Sequence, residues 1–246
     1  MPQVVASTEA IERRYEGSTG TYVNRYFINP DYRLMPPGIS KVPCAFLVGL
    51  TTPGGVIPPH FHAVDQFQVV VAGGGTIGNH ELHPISVHYT DGYTPYGPLK
   101  AGPKGLYFFT LRAWTDGTSI HNMPESRNEI QGRSGREVMF ETDLRPAETL
   151  HRKDVVTEQP FAPHKDGLAA YVIRAGPKAQ AVAPSPKGSG GQMCLIIGGS
   201  GLHGTKQLPL WSCISLSPDD EPARLIAGLS GLEALVLQYP VPRAGL

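Results

Sequence analysis

Between residues 20 and 34 (GTYVNRYFINPDYRL) aromatic and β-branched residues alternate with polar ones until Asn29-Pro30-Asp31, the pattern of a strand running into a turn. Residues 42–51 (VPCAFLVGLT) form a more continuous apolar run, a more buried strand. After the turn Thr52-Pro53-Gly54-Gly55 the runs VIPPHFH, QFQVVVAG, TIGNHEL, PISVHYT and GLYFFTLRAW follow one another, separated by turn signals. Their spacing of about 8 to 12 residues is that of a β-sandwich or barrel. The pattern thins between residues 115 and 165, which predicts a long connection holding at most a short helix or an isolated strand at residues 137–141.

A second β series then begins: AAYVIRAG, QAVAPS, QMCLIIGGSG, WSCISLS and LEALVLQYP. Its order echoes the first. An apolar run ending in glycines (QVVVAGGGTIG, QMCLIIGGSG) precedes an apolar strand (YFFTLRA, EALVLQY) in both. The echo predicts an internal duplication with one degenerate copy.

Composition supports this picture. The 246 residues include 29 Gly and 24 Pro, too many of the two poorest helix formers for a largely helical chain. They are scattered singly among apolar runs, which excludes collagen-like and low-complexity readings. Lys plus Arg and Asp plus Glu both number 21, so there is no broad basic field for nucleic acid or anionic lipid. Cys44, Cys194 and Cys213 are odd in number and form no CxxC, which predicts reduced thiols and an intracellular, cytoplasmic setting. Neither a secretory leader nor a membrane-spanning helix is expected. Neutral charge favours self-association, and a homodimer is the expected assembly.

The densest chemistry lies in Gly54-Gly55-Val56-Ile57-Pro58-Pro59-His60-Phe61-His62-Ala63-Val64-Asp65-Gln66, running on to Gly73. Strand residues two apart share a face, so His60 and His62 can aim two imidazoles at one point while Phe61 turns into packing. The spacing resembles the first cupin motif: Gly, five residues, His-x-His, three residues, an acidic residue, six residues, Gly. Here Gln66 stands where that family usually has Glu. The second cupin motif usually adds a third His. The corresponding stretch, Asp91 to Lys100, places Lys100 or Tyr96 there, depending on the alignment. His88 and Asp65 are further candidates to complete the site.

The resemblance implies an all-β bicupin of two tandem jelly-roll barrels. The expected layout is a site-bearing barrel in residues 1–125, a connecting segment in 126–165 and a degenerate barrel in 166–246. It also implies one divalent transition metal at His60, His62 and Gln66, iron first, with Zn, Ni, Mn and Cu as competitors. Tyr96 and Lys100 are the expected catalytic residues. Gln68 and Arg112 are expected to bind substrate, with Phe46, Tyr107 and Phe109 as pocket wall or core. The implied function is a metal-dependent cupin enzyme acting on a small polar organic molecule, with an oxygenase ahead of a Lewis-acid lyase or isomerase. The rival from another class is a metal-free binding or scaffold protein. In the second unit the place of His-x-His falls near residues 183–186, where neither His nor carboxylate occurs, so no metal is expected there.

Overall fold

The computed structural model describes residues 1–34, 42–115, 120–131 and 135–242. The chain divides into two compact units, residues 11–141 and residues 1–10 with 142–246. Both are antiparallel β structures, as the strand rhythm predicts. The α-helix Pro146–His151 and short 3-10 turns are the helical elements among the described residues, and none is long and apolar enough to cross a membrane.

In the first unit the sheet runs Glu137–Glu141, Ser86–Thr90, Gln66–Ile77, Leu99–Thr115, Val42–Leu50, Gly20–Ile28, Ile11–Gly17. In the second it runs Gln3–Val5, Cys213–Leu216, Gln192–His203, Arg224–Gln238, Ala169–Ala175, Val155–Glu158. These edges correct the expected layout. Glu137–Glu141 pairs with Ser86–Thr90 instead of lying in a connector, and Val155–Glu158 pairs with Ala169–Ala175. Gln3–Val5 joins the second unit beside Cys213–Leu216. An uncovered edge strand exposes a row of unpaired N–H and C=O groups, and these short segments cap it.

The duplication holds at the level of single residues. In the first unit Thr110 faces Gln68, Leu111 faces Phe67, and the ladder slips by one residue between Tyr107 and Phe108. In the second, Val236 faces Cys194, Leu237 faces Met193, and the ladder slips between Gly198 and Ile196. The slips fall at equivalent positions. Gly73 and Gly199 sit beside them with φ of 67° and 64°. A Cβ there would lie 2.2 Å from the Gly105 carbonyl oxygen and 2.1 Å from that of Gly231. Only glycine meets both demands, which explains why each apolar run ends in glycines.

The same registers show what the second unit lacks. Gln68, Thr110 and His88 of the first correspond to Cys194, Val236 and Ile214 of the second. An inward polar set is replaced by apolar residues that are fully buried or nearly so. Cys194 and Cys213 are free thiols whose pKa burial raises, that of Cys194 to about 12. Cys44 is also buried.

Charge in the second unit is concentrated at Arg174, whose side chain is fully buried. Its Nε donates to Glu233 at 3.2 Å and its Nη1 to Glu158 at 2.6 Å, while Nη2 reaches Thr142 and the Asp143 carbonyl. Glu233, only 1% exposed, also accepts the Arg145 backbone N–H at 3.0 Å. This network ties the segment that enters the second unit to the central strand Arg224–Gln238.

Candidate functional site

The strand pattern that builds the first barrel also aims its polar residues inward. Phe108, Thr110 and Arg112 alternate along Leu99–Thr115 and line a cavity of about 270 Å³. Across the ladder, Thr110 faces Phe46 on one side and Gln68 on the other. Gln68 in turn faces His88. His60 enters from the short strand His60–Phe61, bridged through its backbone to Tyr96 at 2.9 and 3.1 Å. Phe61 turns away, fully buried against His121 and Tyr93, as the alternation predicts. His121 is thus half-buried and stacked, with Nδ1 2.7 Å from Glu129.

The two motif histidines do meet. Their ring centroids are 5.2 Å apart, and that of His60 is 4.5 Å from the Tyr96 ring. His60 Nδ1 donates to the Pro58 carbonyl at 2.7 Å, and since a carbonyl only accepts, Nε2 carries the lone pair. Tyr96 Oη lies 2.8 Å from that nitrogen and donates its proton to it. Burial lowers the pKa of His60 to about 4, with smaller contributions from Arg112 and His88, so the ring is neutral near pH 7.

Gln66 is oriented by its neighbour. Arg112 donates Nε and Nη2 to Gln66 Oε1 at 3.2 and 3.0 Å. A guanidinium has only donors, so Gln66 must show it the oxygen and turn its amide nitrogen to the centre. That nitrogen donates to Tyr96 Oη at 2.5 Å, and Gln68 Nε2 approaches the same oxygen at 3.4 Å. Burial raises the Tyr96 pKa above the ordinary phenol value, opposed by Arg112 and the two amides, so the phenol keeps its proton.

These facts bear directly on the implied metal. The expected centre needs lone pairs from His60, His62 and Gln66 aimed at one point. Here Tyr96 occupies the His60 lone pair, residue 66 presents an N–H donor, and a buried guanidinium stands beside it. Among the described residues no cluster of three or more His, Cys, Asp or Glu is arranged to hold a metal ion. In this arrangement residues 60, 62 and 66 do not offer three lone pairs to one point, and a metal there would require the Tyr96 hydroxyl to leave His60 and Gln66 to turn its oxygen inward.

Arg112 is 2% exposed. Its hydrogen bonds go to a neutral amide, and its Cζ lies 6.0 Å from each of the Tyr32 and Phe46 ring centroids. Among the described residues no Asp or Glu forms an ion pair with it. The guanidinium lies inside the cavity.

His88 points inward. Its Nδ1 is 3.0 Å from Gln68 Oε1 and its Nε2 is 3.1 Å from Glu137. The hydrogen bond from His88 lowers the pKa of Glu137. Glu137 belongs to the stretch expected to connect the units, and nothing in its local sequence marks this contact. Asp65 is turned away and accepts the Gly92 N–H at 2.7 Å. Two other expectations fail. Lys100 is exposed and lines a separate groove with Gly73 and Gly75, because the ladder is irregular between Ala101 and Leu106. Tyr107 lies five residues from Arg112, hence on the opposite face, and packs beside Gly49.

The neutral His60 links stability to pH. The unfolded imidazole, with pKa about 6.5, takes up a proton between pH 6.5 and 4 that the folded one does not. The folded state therefore loses stability as pH falls through that window, by at most about 3 kcal/mol from this ring. Urea unfolding at pH 7 and pH 4.5 should show a smaller loss in His60→Gln than in the natural protein. Parallel losses would mean that the ring is not held neutral.

The sequence matches no family model and none of the curated proteins compared with it. The fold does match solved structures. A "putative dioxygenase" from Nostoc punctiforme aligns at TM-score 0.65 and 11% identity, over 100% of this chain and 85% of that one. The bacterial pirin YhhW of Escherichia coli, in complex with nickel(II), aligns at 0.58 and 12%, over 98% and 100%. Bacillus subtilis oxalate decarboxylase, a protein with Mn(II) centres, aligns at 0.58 and 12%, over 98% and 77%. The chain thus has the cupin fold in its two-barrel form, as the motif resemblance implies.

Proposed function

We propose that the first barrel is the working site of a cupin enzyme that binds a small organic carboxylate at Arg112 and transfers a proton to or from it through Tyr96 and His60. One observation carries this reading: a buried guanidinium without a carboxylate partner among the described residues lines a cavity that also holds a phenol hydrogen-bonded to a neutral imidazole. Removing a charge from water costs several kcal/mol unless a counter-charge repays it, and an anionic ligand supplies one. His60 Nε2 is the base of the pair and Tyr96 Oη the acid. When the phenol gives up its proton, the amide nitrogens of Gln66 and Gln68 and the charge of Arg112 support the oxygen left behind. The likeness to oxalate decarboxylase agrees with a carboxylate ligand.

Titration calorimetry with hexanoate and 3-phenylpropanoate, against their uncharged amides, tests the binding step. The acids are expected to bind at least about tenfold more tightly, and equal affinity of the amides would sink the proposal. Proton transfer is read by loss of deuterium from C2 of labelled 3-oxohexanoate to water. It should vanish in Tyr96→Phe while binding persists.

The second reading is the metal-dependent oxygenase. It is favoured by the tautomer of His60, whose Nδ1 proton held by a backbone carbonyl is the arrangement usual for a metal-bound ring. Of the similar structures, pirin YhhW is a nickel(II) complex and oxalate decarboxylase has Mn(II) centres, which gives iron no special place among the candidates. Elemental analysis of protein purified without added metal separates the readings. One equivalent of metal, lost in His60→Ala and kept in His203→Ala, would establish a metal centre at the motif histidines and overturn the metal-free site, and oxygen consumption on adding Fe(II) and substrate would then mark it as an oxygenase.

A further inference from the structure

Asn24 lines the same cavity as Arg112 but belongs to the strand Gly20–Ile28, far from the motif in sequence. It is 1% exposed. Its Nδ2 lies 3.4 and 3.5 Å from the Tyr15 and Tyr26 hydroxyls, while its Oδ1 is buried with no hydrogen-bond partner. A buried acceptor left unsatisfied costs about 1–3 kcal/mol, so a bare amide oxygen in a ligand cavity points to a donor on the ligand.

Register fixes where that donor would be. Between the pairs Tyr22 with Leu50 and Arg25 with Leu47, Asn24 stands opposite Val48, and Val48 faces Phe108. Arg112 lies further along the same strand as Phe108, opposite Cys44. At strand rise the two rows are about 13 Å apart. The wall between them is made by Phe46, Thr110 and Phe108, a mainly apolar surface with one hydroxyl. Anion site, apolar wall and bare acceptor thus follow one another along the barrel.

We infer that the ligand is an elongated carboxylic acid with a hydroxyl or amine donor at the end remote from the carboxylate, and that Asn24 Oδ1 selects for that donor. The inference rests on the carboxylate reading above and adds the other end of the molecule. Its selectivity arises because the acid lacking the donor leaves the amide oxygen bare after water has been expelled.

The test compares hexanoate with 6-hydroxyhexanoate, and 3-phenylpropanoate with 3-(4-hydroxyphenyl)propanoate, by calorimetry on the full chain. In the natural protein the hydroxyl of at least one pair should tighten binding about tenfold. Asn24→Leu should abolish that gain while leaving the affinity for the parent acid within about twofold. Asn24→Ala serves as a second variant should leucine disturb the fold, and circular dichroism checks both. A hydroxyl that brings no gain in either pair, or a gain that survives in both variants, would overturn the role of Asn24, solvent then serving its oxygen. If instead the acids bind no better than their amides, the Arg112 reading itself has failed, and this inference with it.

Discussion

Arg112→Met is expected to weaken carboxylate binding at the first barrel at least a hundredfold while leaving the fold in place. Truncating one member of a buried, hydrogen-bonded charge pair costs about 2–5 kcal/mol of binding, and Arg112 is the cation that lines this cavity. Its effect on the unliganded protein should be small, because two terms oppose each other. The variant removes a desolvated charge that has no counterion among the described residues, which stabilises. It also strips Gln66 Oε1 of two donors, which costs about 1–3 kcal/mol. Calorimetry with 3-phenylpropanoate and urea unfolding, run on the same preparations, read the two effects separately. Undiminished binding would remove Arg112 from the site. Intact binding sites lost only through a fall in stability beyond about 4 kcal/mol would make it a structural residue.

Arg174→Met should behave in the opposite way, losing stability without touching the first cavity. Here the guanidinium has its partners, and the substitution leaves Glu233 buried with only the Arg145 backbone N–H against its charge. Breaking such a pair from one side costs about 3–5 kcal/mol. Adding Glu233→Gln to the same variant should recover part of the loss, because the stranded charge goes with it. Urea midpoints of the single and double variants decide the matter. A single variant within about 1 kcal/mol of the natural protein would show that the carboxylate is hydrated despite its burial. The pair of arginines thus separates two uses of a buried cation. One is satisfied by the fold, and the other waits for a ligand.

Much of the frame was legible from residue order. The strand rhythm, the thinning after residue 115, the glycine-ended runs and the two inward histidines all have local causes, namely the period of two and the need for positive φ. Tyr96 was also reachable by spacing, as one of two candidates for the missing ligand. What escaped depends on registers that spacing does not determine. Gln66 could be read as a ligand until Arg112, on another strand, dictated which end of its amide faces inward. Asn24 and Glu137 reach the site from strands on the two flanks of the ladder, and neither carries a motif. Strict use of alternation would have separated Tyr107 from Arg112, since an odd spacing puts them on opposite faces. Lys100 was misplaced because irregular pairing before Leu106 breaks that parity. The expected layout missed Gln3–Val5 because three residues carry too little pattern to show which sheet they join.

The matched slips and glycines of the two ladders make the second barrel a blank for the first. The inward positions of Gln68, Thr110 and His88 have partners at the same register in the same chain, filled by Cys194, Val236 and Ile214, while the Gln66 and Arg112 positions are both taken by glutamines, Gln192 and Gln238. A ligand that bound through the β frame alone would occupy both barrels, with two equivalents per chain. One that reads Gln68, Thr110 and His88 would stop at one. Stoichiometry alone, before any variant is made, therefore reports whether recognition resides in the side chains or in the architecture that carries them.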